Sequence, residues 1–146
     1  MAVFLTLVLG SATARIAGWL GAAYVDSWPA AISVGLALMF AMTGVAHFVP
    51  AMRHDMIAIV PPALPAPALL VTVTGVLEIL GAAGLRFGPT RAAVCLFLLM
   101  LVMFPANVYA ARMPDPPKSM TSRLGVRTAE EVIYLAAAVV VAVAGG

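Results

Sequence analysis

The chain has 146 residues, enough for one domain of ordinary size; 64% are hydrophobic, only 10% are charged and mean hydropathy is +1.09. A soluble domain carries about 25% charge, and here no formal charge occurs over Ser27–Met52 (26 residues), Met56–Leu77 (22 residues) or Ala92–Ala111 (20 residues). Each window is as long as the roughly 20 apolar residues that one helical crossing of a bilayer needs, which excludes a soluble globular protein.

Segment one runs from about Met1 to Tyr24, apolar apart from Ser11, Thr13 and Arg15. More apolar segments follow it and Arg15 interrupts it, so it does not read as a removable signal peptide. It ends at Asp26-Ser27-Trp28-Pro29, where Tyr24 and Trp28 suit the headgroup level and Pro29 suits a helical first turn. Segment two covers about Ala30 to Val49 and stops at Pro50. A proline-rich link (Pro61, Pro62, Pro65, Pro67) leads to segment three, about Ala68 to Leu85. Segment four follows Pro89-Thr90-Arg91 and reaches about Ala111. Asp115-Pro116-Pro117-Lys118 then breaks the helix, within a basic loop running from Arg112 to Arg127. Segment five is about Thr128 to Val143, ahead of Gly145-Gly146.

Backbone polar groups cannot stay unpaired in hydrocarbon, so these segments are expected to be helices packed as one bundle. The ten-residue alternation of a membrane β-barrel is absent. The expected fold is all-α, a single transmembrane helical domain over residues 1–146 with five spans. A surface-lying first helix would leave four, but such a helix is charged along a whole face, and segment one carries a single charge in its first 25 residues. With five spans, Arg53, Arg112, Lys118, Arg123 and Arg127 fall on the N-terminal side. Arg86 and Arg91 fall on the other, with Arg15 reaching toward it. The excess of positive charge makes the N-terminal side cytoplasmic.

Ionisable groups inside a membrane are costly and are usually paired or functional. At about 1.5 Å per residue, Glu78 lies roughly 18 Å and Arg15 about 21 Å from the same surface. A buried Arg15–Glu78 ion pair is therefore expected, as a pin holding segment one to the bundle. Glu78 as a proton-linked or ligand-contacting carboxylate, and as a lone protonated acid, are the other readings. Gly75 with Ala82, and Thr74 with Gly81, share helix faces that admit a close neighbour, and the Thr74 hydroxyl is placed to bond across. His47 and Asn107 each lie about one turn inside the boundary on segments two and four, near enough in depth to meet around a shallow polar site. The plainer reading is that they satisfy carbonyls freed by Pro50 and Pro105. His54, beside Arg53 and Asp55, reads as solvated. A haem between His47 and His54 is disfavoured because Pro50 separates them. Thr128 and Glu131 match a capping box, and Glu130 sits in the same first turn; a gating role for Glu130 is the sharper alternative.

Scattered charge gives no nucleic-acid surface, and lone Cys95 excludes an internal disulfide or CxxC pair. Two histidines with no cysteine nearby leave little for a metal site. No catalytic residue and no intrinsic cofactor is assigned.

Gly44-Val45-Ala46-His47-Phe48, Pro61-Pro62-Ala63-Leu64-Pro65, Thr74-Gly75-Val76-Leu77-Glu78 with Gly81-Ala82, Pro89-Thr90-Arg91 and Phe104-Pro105-Ala106-Asn107 occur in that order. In order and spacing they resemble the DoxX-like family of small bacterial integral membrane proteins, from about Ser33 to Ala111. The resemblance implies a four-helix core with an added N-terminal helix, in the bacterial inner membrane, and makes His47, Glu78 and Asn107 the family-like polar positions. It also implies association with membrane oxidoreductases, including a subunit of a thiosulfate:quinone oxidoreductase. The bare Ala/Val run Ala136–Val143 departs from the family pattern.

Three functions are weighed. The first is a non-catalytic accessory or scaffold subunit, whose partners are the bilayer and a membrane protein or a second copy. The second is a quinone-binding subunit, with His47 and Asn107 bonding the quinone oxygens and electrons supplied by a partner. The third is a small proton-coupled transporter using Glu78, weakened by five spans that do not divide into two halves.

Overall fold

The structure is a computed structural model describing residues 1–118 and 121–144. It contains helices α1 (Ala2–Trp19), α2 (Trp28–Ala46), α3 (Pro50–Ala58), α4 (Pro67–Phe87), α5 (Pro89–Arg112) and α6 (Leu124–Ala144), and no strand among the described residues. A proline occupies the first turn of α2, α3, α4 and α5. There its missing N–H leaves no helical bond unmade and its fixed φ suits the helix. Ser27 caps α2, its hydroxyl accepting from the Ala30 amide at 3.3 Å. Pro105 is absorbed within α5.

Among the described residues, four helices, α1, α2, α4 and α5, are long and apolar enough to cross a membrane. The fifth expected span, α6, has 21 residues, but Arg127, Glu130 and Glu131 fall in its first two turns. Outward-facing apolar side chains are numerous, with Leu9, Leu80, Val102 and Phe87 60–87% exposed. So much exposed apolar surface suits lipid rather than water. The chain is a multi-pass membrane protein.

α2 is the hub. Gly35 and Gly44 are nine residues apart, about two and a half turns, and so lie on opposite faces. On one face a Cβ at Gly35 would run into the Ser11 hydroxyl of α1, and one at Gly10 would lie 3.2 Å from Gly35 Cα. On the other, a Cβ at Gly44 would lie 2.7 Å from Ile79 Cγ1 of α4, and one at Gly75 would lie 2.5 Å from His47 Cβ. These helices approach closely because the side chains at their crossings are absent. Leu96 of α5 presses on Gly81 of α4, while α6 packs against α5 and α2. The core between them holds Leu36, Phe40, Leu85, Leu96, Met100 and Val141.

Several expectations are corrected. The first half of the proline-rich link is helical (α3). Arg53 fastens it: Nη1 donates to His47 O (3.2 Å) and Nη2 to Ala68 O (3.0 Å) and Thr72 Oγ1 (2.9 Å). α6 begins at Leu124, four residues earlier than read, so Thr128 is inside the helix and the Thr128–Glu131 capping box does not form. The bond from Arg127 N to Arg123 O (3.1 Å) and that from Arg127 Nε to Ser122 O (3.1 Å) carry the helix back by that turn. Thr74 bonds within its own helix, to Leu70 O and Val71 O, rather than across. Gly145-Gly146 and part of the basic loop lie outside the described residues.

The Arg15–Glu78 pair is also corrected. Arg15 Nη1 lies 3.3 Å from Asp26 Oδ1, and its guanidinium sits over Trp19 (4.9 Å) and Trp28 (5.9 Å). Glu78 bonds Thr43. Similar depth is not enough, because α1 packs on one face of α2 and α4 on the opposite face. α2 stands between them, and Arg15 finds its partners at the end of α1, in the turn that follows and at the start of α2.

Candidate functional site

Because the helices alternate in direction, one end of the bundle gathers α3, the end of α2, the starts of α4 and α6, and the last turns of α5. Beneath the 56–64 stretch at this end lies a cavity of about 680 Å³, within the usual range for small-molecule sites of about 300–1,000 Å³. Met39, Phe40, Val71, Met100 and Met103 form apolar walls, while Thr43, His47, Thr74, Glu78, Asn107, Glu131 and Tyr134 supply polar groups.

The floor is built by the α2–α4 crossing. Thr43 and His47 are one turn apart on the face that meets Gly75 and Glu78. The Thr43 hydroxyl donates to Glu78 Oε2 at 2.5 Å, a short contact of the kind carboxylates form with hydroxyls. His47 Nδ1 lies 2.9 Å from Thr43 O and 4.0 Å from Glu78 Oε2. A carbonyl only accepts, so Nδ1 carries hydrogen, and a neutral His47 then presents Nε2 as an acceptor. His47 and Glu78 are both only 4% exposed. Glu78 has no Lys or Arg partner among the described residues.

The opposite wall comes from α6. Arg127, Glu131, Tyr134, Ala138 and Val141 recur at spacings of four, three, four and three, one helical face, and the last three are buried. Glu131 Oε1 and Tyr134 Oη are buried without a hydrogen-bond partner, and Tyr134 is 8% exposed. A buried polar atom left unbonded costs about 1–3 kcal/mol, so these two atoms are destabilising where they stand.

Of the site residues expected from sequence, His47, Glu78 and Asn107 all line this cavity, and Arg15 lies away from it. His47 and Asn107 do not bond each other: Asn107 Oδ1 accepts from Arg127 Nη1 at 3.1 Å. His54 is on the surface, its side chain 87% exposed and 3.8 Å from Asp55. Glu130 lies 3.0 Å from the Met1 amine. Sequence reasoning missed Thr43, Glu131 and Tyr134. The four-residue step from Thr43 to His47 and the three-residue step from Glu131 to Tyr134 were the available signals.

Residues 36–144 match a family described as a domain of unknown function, DUF8561. The chain belongs to that family. The match takes in every polar residue of the cavity, and α1 with Arg15 falls before it. No curated protein and no solved structure matches the chain.

Proposed function

We propose that this protein is a non-catalytic membrane subunit that holds a lipid-soluble ligand inside its bundle. One observation carries the reading: an apolar cavity within the bundle whose lining includes Glu131 and Tyr134, two residues with buried polar atoms, Oε1 and Oη, that have no partner. A bound molecule would supply the missing bonds, while Met39, Phe40, Met100 and Met103 would cover its apolar part. Thr43, His47 and Glu78 form the floor against which it rests, and Asn107 stands near the mouth beside Arg127.

The resemblance to DoxX-like proteins supports this reading, because that family is associated with small membrane subunits working beside a quinone-linked oxidoreductase. A quinone is the second reading, for the apolar walls would also suit its ring and tail. Its carbonyl oxygens need donors, and here the Asn107 amide N–H groups are the donors left on the His47–Asn107 pair, since neutral His47 offers an acceptor. Electrons for any redox step would come from a partner protein. In this reading α6 is the fifth crossing, the Gly125–Glu131 turns sit at the cytoplasmic surface, and the N-terminus is cytoplasmic in a bacterial inner membrane.

The test is purification in a mild non-ionic detergent, followed by solvent extraction and mass spectrometry. The expected result is one lipid-soluble molecule per chain, depleted in the Tyr134→Phe and Glu131→Gln variants. Finding only bulk phospholipid, in equal amounts in the wild type and both variants, would overturn it.

A further inference from the structure

The charge of the cavity goes further than its size, and the following rests on the binding role just described. Three groups in it bear or accept negative charge or present lone pairs: the carboxyls of Glu78 on α4 and Glu131 on α6, and the Tyr134 oxygen. No Lys or Arg side chain lines it among the described residues. Two arginines at this end are engaged elsewhere, Arg53 with His47 O, Ala68 O and Thr72, and Arg127 with Asn107 Oδ1 and Ser122 O. His47 turns Nδ1 toward Thr43 O, and a neutral imidazole then adds one more acceptor to the same space.

The walls match this polarity. Phe40 and Tyr134 offer aromatic rings, whose faces attract cations, most strongly where water is excluded. Met39, Met56, Met100 and Met103 offer polarisable thioethers that adapt to bulky apolar groups. An anion would meet two carboxyls with no compensating charge. A neutral molecule gives those carboxyls no charge partner and leaves them as neutral acids, whereas a cation is the ligand that pairs with them ionised. We infer that the ligand is a lipophilic cation, a molecule with an apolar body and a single positive centre such as a protonated amine. The positive centre rests between Glu78 and Glu131, and the apolar body lies along Met100 and Met103.

Three probes of nearly one shape separate charge from greasiness: tetraphenylphosphonium, tetraphenylborate and triphenylphosphine oxide. Each is measured by equilibrium dialysis against the full chain in non-ionic detergent, with empty detergent micelles as the blank. Tetraphenylphosphonium is expected to bind saturably, one per chain, at least about tenfold more tightly than either of the others, a difference of about 1.4 kcal/mol. Glu131→Gln, which removes no bond the structure shows to Glu131 Oε1, is expected to erase most of that preference. Glu78→Gln, which keeps an acceptor for Thr43, is expected to do the same. Unchanged thermal unfolding of the Glu131→Gln protein shows that the loss is not one of folding. Equal binding of all three probes would overturn the preference for cations and leave the binding role standing. If none binds and no molecule co-purifies, both are overturned.

Discussion

At the end of the bundle where α1 turns into α2, Arg15 is surrounded: Asp26 takes one Nη, and Trp19 and Trp28 meet at 6.4 Å, edge to face, with the guanidinium over both rings. Arg86 lies over Tyr24 at 4.4 Å nearby. At the other end Glu78, Glu131 and Tyr134 face a cavity, and two of their polar atoms have no partner. Both ends place polar groups against hydrocarbon. At the Arg15 end the partners are residues close in sequence, as in an aromatic belt at a membrane surface, although Arg15 Nε is itself buried without a partner. At the other end the unpartnered atoms belong to α6 residues that line a cavity of about 680 Å³. The two ends differ in what surrounds their polar groups: aromatic rings and a local carboxylate at one, a space wide enough for a small molecule at the other.

The largest expected effect lies at the crossing that makes the cavity floor. Gly75→Leu drives a side chain into His47 and Phe48 and is expected to cost about 1–3 kcal/mol or more, the usual penalty of overpacking. Thermal unfolding in detergent measures it. Gly88→Ala, with open space around it, is the control and should leave the midpoint within a degree or two.

Next in size is the Arg15 end. Arg15→Ala removes one ion pair and two cation–π contacts, about 1–2 kcal/mol together. Its effect should couple to that of Trp19→Ala. With Glu78→Ala it should add within about 0.5 kcal/mol, as for groups that share no partner. Coupling between Arg15 and Glu78 of more than 1 kcal/mol would restore the buried pair and erase the contrast between the two ends.

The smallest effect on stability is expected at the open end. Tyr134→Phe deletes a hydroxyl that bonds nothing, so unfolding of the ligand-free protein should move in the stabilising direction by about 1 kcal/mol, the low end of the cost of an unbonded buried group. A loss of 1 kcal/mol or more would mean that the hydroxyl already has a structural partner.

Much of the fold was legible because hydrocarbon imposes simple demands. The charge-free windows gave α2, α4 and α5, and Pro29, Pro67 and Pro89 marked where they start. Helix α3 was hidden because Pro50, Arg53, His54 and Asp55 look like a link; the bonds from Arg53 to His47, Ala68 and Thr72 that hold it are contacts between elements. Arg15 and Glu78 were matched in depth, but depth is one coordinate, and which face of α2 each helix occupies is set by Gly35 and Gly44 together. His47, Glu78 and Asn107 were found at the cavity because rare polar residues in apolar segments stand out. Glu131 and Tyr134 did not stand out: the three-residue step that aligns them also links Thr128 to Glu131, and the shorter pattern suggested a cap.

The most direct measurement is native mass spectrometry of the intact chain released from mild detergent, comparing wild type with Ala106→Phe, which adds a ring to the cavity lining. A ligand cavity at the α3 end predicts a single small-molecule adduct on the wild type, removed in the variant while the bundle stays folded. A wild type with no adduct, even after incubation with tetraphenylphosphonium, or an adduct that survives Ala106→Phe unchanged, would contradict it.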